Sequence, residues 1–203
     1  MSLISYLSEE INHSLYKIKS LYNEIGKQDF YEYTSLMYYL QNNKNPNIQI
    51  IKLLSKEIGK KNCEKETALM IYLQNNEKPN IKIIKLLSKE IGKKNINKET
   101  ALMFYLENGD NPNPEIVKLL SKEIGLQNWY EVTALMVYLQ SNETPDIEII
   151  KLLSKDICKK NTEGETALMV YLQSNETPDI EIIKLLSKEI GKQNKRKYKA
   201  LMI

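Results

Sequence analysis

Apolar and polar residues follow a recurring pattern along the chain, and residues 67–99 show one complete block of it. Thr67 is a suitable N-cap, and good helix formers follow it from Ala68 to Asn75. The helix should then break, because Pro79 and the asparagines around it favour turns. This part of the block predicts a short first helix and a loop.

The second half of the block predicts another helix. From Ile81 the apolar residues recur with helical spacing, at positions 81, 84, 87 and 91 with 83 and 86 beside them. Gly92 is expected to end this helix in a left-handed conformation. The polar connector 93–99 follows, and Asn95 occupies a slot suited to an Asx turn. No segment alternates with period two for long enough to make a strand, so the sequence predicts an all-α protein.

The block recurs every 33 residues. The residues that mark this period are Thr34, Thr67, Thr100, Thr133 and Thr166, together with Pro46, Pro79, Pro112, Pro145 and Pro178. The stretch Thr133–Lys155 is repeated letter for letter at Thr166–Lys188. One helix pair cannot bury its own apolar face, so we expect the copies to stack. We predict a single solenoid domain over residues 1–203, with repeats at about 1–33, 34–66, 67–99, 100–132, 133–165 and 166–198 and a partial repeat at 199–203.

The motif within each period resembles the ankyrin repeat. The sequence Thr-Ala-Leu-Met opens the first helix where that family has Thr-Pro-Leu-His, and Ile-Ile-Lys-Leu-Leu resembles the Val-x-Leu-Leu core of its second helix. Such Thr-Ala-Leu-Met arrays look like those common among protist ankyrin proteins. The chain departs from the family in a longer loop between the helices and a shorter connector. The resemblance implies an ankyrin-type solenoid that binds a protein partner without catalysis, through its connector tips and the concave face of its first helices.

Composition narrows the other classes of function. The 29 basic and 26 acidic residues leave a net charge of +3, which is weak evidence for a nucleic-acid partner. The N-terminal residues lack the features of a secretory signal, no apolar run is long enough to span a membrane, and two cysteines fit a reducing compartment. We therefore expect a cytoplasmic protein with no membrane partner. With His13 as the single histidine, we expect no catalytic, cofactor or metal site.

Two lysine slots in each second helix predict a basic stripe, as in Lys85 and Lys89. An acidic residue follows the second lysine of every pair. These acids are Glu57, Glu90, Glu123, Asp156 and Glu189. We expect them to neutralise the stripe and to leave a solvated face, which makes nucleic-acid binding unlikely.

A tyrosine also recurs at a fixed slot of each first helix, and its members are Tyr39, Tyr72, Tyr105, Tyr138 and Tyr171. We expect these rings to pack between repeats with their hydroxyl groups reaching the loop, rather than to form a ladder for a ligand.

Two connector positions and one first-helix position vary between repeats while the rest of each helix is nearly constant. Positions that packing does not dictate are available for recognition, although neutral drift after duplication would produce the same variation. Large exposed aromatic residues are typical interface anchors, which favours Trp129 and Tyr130. The candidate protein-binding residues are Phe30, Tyr31, Tyr38, Glu64, Ile71, Asn97, Phe104, Trp129, Tyr130, Val137, Glu163 and Val170.

The C-terminal end suggests two further possibilities. The sequence stops within a predicted first helix, so the chain could be the regulatory or targeting arm of a larger or truncated enzyme, such as an ankyrin-bearing protein kinase. A nucleic-acid-binding solenoid is the second alternative function. We also expect the last repeat to be uncapped, with Tyr171, Leu172, Ile183 and Leu186 forming an exposed strip that permits self-association, and the stub 199–203 to fray.

Overall fold

The structure is a computed structural model that describes residues 2–9, 13–108 and 111–200. These residues form twelve α-helices and no strand, with isolated β-bridges such as Gln127–Thr133 in the connectors. The all-α prediction is therefore confirmed. The chain divides into two compact units, residues 1–96 and 97–203, and each unit contains three helix pairs.

The helices are short and strictly paired. The first unit contains α1 Leu3–Glu9, α2 Leu15–Ser20, α3 Ser35–Asn42, α4 Ile48–Leu53, α5 Ala68–Gln74 and α6 Ile81–Leu86. The second unit contains α7 Ala101–Asn108, α8 Pro114–Leu119, α9 Ala134–Ser141, α10 Ile147–Leu152, α11 Ala167–Ser174 and α12 Ile180–Leu185. We call the odd-numbered helices first helices and the even-numbered ones second helices.

Local capping explains where the helices begin. From α3 onward, each first helix starts one residue after a periodic threonine, and each second helix starts two residues after a periodic proline, as predicted. In α3 the hydroxyl of Thr34 accepts the N–H of Met37 at 3.2 Å. In α4 the side-chain oxygen of Asn47 accepts the N–H of Gln49 at 2.8 Å. Both caps satisfy N–H groups that have no partner within the helix.

The second helices are shorter than the sequence predicts. Helix α6 ends at Leu86, and a 3₁₀ turn over Ser88–Glu90 follows it before Gly92 takes a φ of +88°. Side chains three residues apart eclipse each other in a 3₁₀ turn. Glu90 therefore follows the fully buried Leu87 into the interior.

Packing within each unit joins like helices. In the first unit, first helices pack on first helices, as α1 does on α3 and α3 on α5, and second helices pack on second helices. The same arrangement links α7, α9 and α11 in the second unit. The apolar face of each helix pair is thus covered by its neighbours within the unit, which accounts for a core of leucine, isoleucine, methionine and tyrosine.

The periodic tyrosines have the predicted place in this core. Tyr72 is 1% exposed, and its hydroxyl oxygen accepts the N–H of Asn80 at 2.7 Å. The N-terminal repeat has the same bond, from the N–H of Ser14 to Tyr6 at 2.8 Å. Each ring fills space between helices while its hydroxyl group satisfies the loop that leads into the second helix.

A buried carboxylate links the repeat of Glu90 to the one before it. Glu90 has no exposed surface, and its oxygens accept the N–H of Leu69 at 2.7 Å and the N–H of Gly59 at 2.6 Å. Leu69 lies in the first turn of α5, whose N–H groups lack helical partners and favour negative charge. Burial raises the pKa of Glu90, while these two N–H groups lower it in part. One side chain therefore joins a 3₁₀ turn, a helix start and the preceding glycine turn.

Asp156 occupies the same slot with a side chain one methylene shorter. Its Oδ2 accepts the N–H of Leu135 at 3.2 Å, whereas Oδ1 is buried without a hydrogen-bond partner. Glu189 follows an identical 23-residue stretch and makes both bonds, to Leu168 at 2.7 Å and Cys158 at 2.6 Å. Asp156 therefore leaves one repeat junction incompletely satisfied.

Asp156→Glu should stabilise the protein, because the longer side chain can also accept the N–H of Gly125. Satisfying a buried acceptor is worth about 1 kcal/mol, or roughly 2–4 °C in Tm for a chain of this length. Thermal unfolding followed by circular dichroism measures the change. Glu189→Asp is the matched control in the same unit and should lower Tm by a similar amount. Equal melting of both variants and the wild type would contradict the role of this contact.

The pH dependence of stability should also report Asp156. Burial raises its pKa to about 6 from 3.8, although the N–H of Leu135, Lys159 and the N–H of Gly125 lower it. The N–H of Gly125 acts on this carboxylate without a hydrogen bond, because Asp156 Oδ1 accepts none. The folded state thus binds more protons than the unfolded state between pH 3.8 and about 6.

The protonated Asp156 side chain therefore stabilises the folded state at low pH, and this stabilisation should be lost as pH rises from 3.8 to about 6. Each unit by which the pKa is raised corresponds to roughly 1.4 kcal/mol. We expect the free energy of unfolding of the wild type to fall relative to that of Asp156→Asn from pH 4 to about 6 and to stay level above it. Urea unfolding at fixed pH values measures both. If the free energies of unfolding of the wild type and of Asp156→Asn change in parallel between pH 4 and about 6, Asp156 does not cause the pH dependence.

Candidate functional site

The variable connector residues lie at the tips of tightly folded loops. Asn128 forms an Asx turn, in which its Oδ1 accepts the N–H of Tyr130 at 2.9 Å and the N–H of Val132 at 3.0 Å. Glu131 takes a φ of +57°, which closes the loop. This geometry leaves Trp129 and Tyr130 62% and 68% exposed. We call the two residues after each periodic Asn or Asp the tip residues.

Backbone hydrogen bonds connect consecutive tips into a ladder. In the first unit, the N–H of Cys63 donates to the carbonyl of Tyr31 at 3.0 Å, and that of Ile96 to Glu64 at 2.9 Å. In the second unit, the three rungs run from Trp129 to Asn97, from Thr162 to Tyr130 and from Lys195 to Glu163, each at 2.9 Å. Because every rung is made by main-chain atoms, the tip side chains can vary without breaking it. Sequence reasoning found the tip residues but not the ladder that aligns them.

The predicted tip residues are all exposed. They are Phe30, Tyr31, Glu64, Asn97, Trp129, Tyr130 and Glu163. The rings of Phe30 and Tyr31 contact edge to face, with centroids 5.3 Å apart. The ammonium group of Lys98 lies 4.9 Å from the centre of the Trp129 ring, a cation–π distance that holds the indole against the preceding connector. Each unit therefore presents one aromatic tip.

The predicted first-helix residues are less accessible. Ile71, Phe104 and Val170 are buried, so the premise that this slot is free of packing is wrong for these three residues. Tyr38 and Val137 are half-buried. The Tyr38 hydroxyl donates to Asp29 at 2.7 Å, and burial together with this bond raises the pKa of Tyr38 to about 12. The slot varies because several apolar shapes fit it.

The second unit nevertheless brings two of these positions to one groove. Phe104 and Val137 line a cavity of about 290 Å³ between α7 and α9. Glu99 and Glu107 lie at the same cavity, as does Asn128 from the aromatic tip loop. First-helix and connector residues can therefore contact one partner together in this unit.

The predicted neutralisation of the lysine stripe is wrong. Glu57, Glu90, Glu123, Asp156 and Glu189 are all fully buried, where they accept backbone N–H groups instead of facing the lysines. The lysines themselves are exposed. The sequence contains a pattern that indicates this burial. Each acid lies seven residues after a buried isoleucine and so continues the apolar face of the helix.

The predicted apolar strip at the C-terminal end is also wrong in part. Tyr171 and Leu186 are buried, while Leu172 and Ile183 are half-buried. The exposed apolar residues in this region are Ile180, Ile190 and Tyr198. Residues 201–203 of the predicted stub lie outside the described residues, and self-association stays a prediction.

Three further features concern other kinds of site. Cys63 and Cys158 are free and exposed. Within the described ranges, no group of three or more His, Cys, Asp or Glu side chains is arranged to hold a metal ion. Across the same residues, none of the helices combines the length and apolar character that crossing a bilayer requires.

Comparison with known proteins identifies the fold but not a family. No family model matches this sequence, and no curated protein matches it significantly. A chain in the solved structure of the Bd0816 predatory endopeptidase from Bdellovibrio bacteriovorus in complex with the immunity protein Bd3460 has a similar fold, with a TM-score of 0.63 and 23% identity. The match covers 93% of this chain and 97% of that chain. At this identity the similarity concerns the fold alone.

Asn128→Ala should loosen the aromatic tip, because the N–H groups of Tyr130 and Val132 lose their acceptor. Trp129 is the only tryptophan, so its fluorescence anisotropy reports this loop directly. We expect lower anisotropy in the variant, while Asn62→Ala, the same change at another tip, leaves it unchanged. If Asn128→Ala has no effect, the backbone ladder and the Lys98 contact hold the tip without the Asx turn.

Proposed function

We propose that this chain is a non-catalytic protein-interaction module of the ankyrin-repeat class, in which six repeats over residues 1–203 form one array. The partner protein is bound through the tip residues and the adjoining first-helix groove. Trp129 and Tyr130 are its central anchors, with Asn97 and Glu163 beside them on the same ladder. The role is that of an adaptor or scaffold.

The observation that carries this proposal is the tip ladder. Main-chain bonds hold Asn97, Trp129, Tyr130, Thr162 and Glu163 in one row, so the backbone of the tips is in place before any partner arrives. Preorganisation of this kind lowers the entropy cost of association. Exposed tryptophan and tyrosine side chains are the residues that most often dominate a protein–protein interface.

Two further observations support a partner that is a protein. The groove beside the aromatic tip combines the apolar Phe104 and Val137 with the carboxylates of Glu99 and Glu107, a mixture suited to a polypeptide side chain with apolar and basic parts. The solved structure of similar fold is, by its description, a complex of an endopeptidase with an immunity protein. That assembly is an example of protein binding in a structure that contains this fold.

The test first identifies the partner by crosslinking at the tip. It then measures how much Trp129 and Tyr130 contribute to the binding affinity. A photo-crosslinking amino acid placed at Thr162, beside the aromatic tip, should capture one protein in source cells, whereas the same group at Tyr16 should not. With that protein purified, Trp129→Ala combined with Tyr130→Ala should weaken binding roughly 30-fold or more, because the loss of one interface anchor alone costs about 2 kcal/mol.

Tyr16→Ala is the matched control, because Tyr16 is 83% exposed on α2 and belongs to no tip. It should bind as the wild type does. The variant that combines Phe30→Ala with Tyr31→Ala measures separately whether the first unit contributes to the binding affinity. Unchanged affinity in the Trp129 and Tyr130 variant would overturn the proposed site.

A further inference from the structure

A second groove lies between the second helices of the 97–203 unit, away from every tip residue. Val117, Ile124 and Leu152 form its apolar floor, and Lys118, Lys122 and Lys155 surround it. Its volume is about 400 Å³. The groove is formed by α8 with its following 3₁₀ turn and by α10 with the equivalent turn.

The charge of this groove is positive because of where the neighbouring acids point. Glu123 and Asp156 directly follow Lys122 and Lys155 in the sequence, yet both are fully buried. Their oxygens accept the N–H groups of Leu102 at 2.7 Å and Leu135 at 3.2 Å, on the inner side of the repeat. Burial removes them from the surface and leaves the lysines uncompensated.

One exposed carboxylate reaches the groove. Glu148 lies 3.3 Å from Lys118, and both side chains are more than half exposed. An exposed pair of this kind contributes little and is easily exchanged for another partner. Lys122 and Lys155 have no such pairing among the described residues. The groove therefore keeps at least two ammonium groups above an apolar floor.

We propose that this groove docks an acidic segment of a protein partner, which places an apolar side chain on the floor and carboxylates against Lys122 and Lys155. Charge complementarity selects the acidic groups, and covering Ile124 and Leu152 contributes apolar burial. A nucleic-acid backbone offers phosphates but no aliphatic group for the floor, and the groove lining contains no aromatic side chain on which a base could stack. These features favour a protein segment.

The inference is separate from the proposed function of the tips. No tip residue and no first-helix residue lines this groove. A negative binding result at the tips therefore does not count against the groove, and a negative result at the groove does not count against the tips. The two sites are tested with different variants.

The test uses three labelled peptides of about 14 residues, or four helical turns, titrated by fluorescence anisotropy against the whole chain. The first peptide carries leucines at helical spacing among glutamates. In the second peptide, serines replace the leucines, and in the third, glutamines replace the glutamates. We expect the first peptide to bind and the other two to bind at least about tenfold more weakly, because charge complementarity and apolar burial are both required. We also expect binding to weaken as salt rises, because the Debye length falls from about 30 Å at 0.01 M to about 8 Å at 0.15 M.

Lys122→Glu combined with Lys155→Glu should reduce affinity for the first peptide about tenfold or more, because two attractions become repulsions. Lys44→Glu combined with Lys78→Glu makes the same change in net charge on exposed loops that do not line the groove, and it should leave affinity within about twofold, since neither lysine belongs to the proposed site. Leu152→Gln tests whether the apolar floor contributes to binding. If the double charge-reversal variant unfolds, Lys122→Gln combined with Lys155→Gln takes its place.

Three results would overturn the proposal. The control pair could weaken binding as much as the groove pair does, which would indicate a general charge effect. The serine peptide could bind as well as the leucine peptide, which would show that the floor is not used. A DNA duplex or anionic vesicles could bind with the same dependence on Lys122 and Lys155, which would make the groove a site for polyanions rather than for a protein segment.

Discussion

From α4 onward, the 3₁₀ turn after each second helix places a carboxylate where no solvent reaches it, and the register of the repeats depends on how that charge is satisfied. Glu90 accepts one N–H group from 21 residues earlier and another from 31 residues earlier. A buried charge without such partners would cost on the order of several kcal/mol. Apolar packing between nearly identical helices is not directional, so it could not by itself choose this register. The carboxylate supplies the missing specificity.

The two tip residues of each repeat are not needed for packing, because other groups satisfy the loops and the connectors. Tyrosine hydroxyl groups satisfy the loops between helices, and Asx turns with backbone rungs satisfy the connectors. The tip side chains take no part in any of these bonds. A tip can therefore carry Trp129 and Tyr130 in one repeat and Cys63 and Glu64 in another while the main-chain rungs stay the same, which allows the side chains of the proposed binding row to vary.

Burial of the acids also shapes the electrostatics of the surface. The net charge of +3 describes the whole chain, but it hides an uneven distribution. Because Glu123 and Asp156 satisfy backbone groups inside the repeat, Lys122 and Lys155 stand on the outside without them. The interaction that sets the register of the repeats thus also produces a basic groove. A single position per repeat therefore affects both the stability of the fold and the charge of the surface.

The sequence by itself determined the period, the all-helical class, the starts of the helices and the exposed tips. These features depend on residues close together in the chain, such as Thr67 with Met70 or Asn80 with Lys82, and local chemistry is readable in one dimension. Only the tertiary structure decided that the periodic acids are buried, that Ile71 and Phe104 belong to the core, and that consecutive tips form a ladder. Those outcomes depend on partners 21 to 32 residues away, whose N–H groups and surfaces meet only once the repeats have packed.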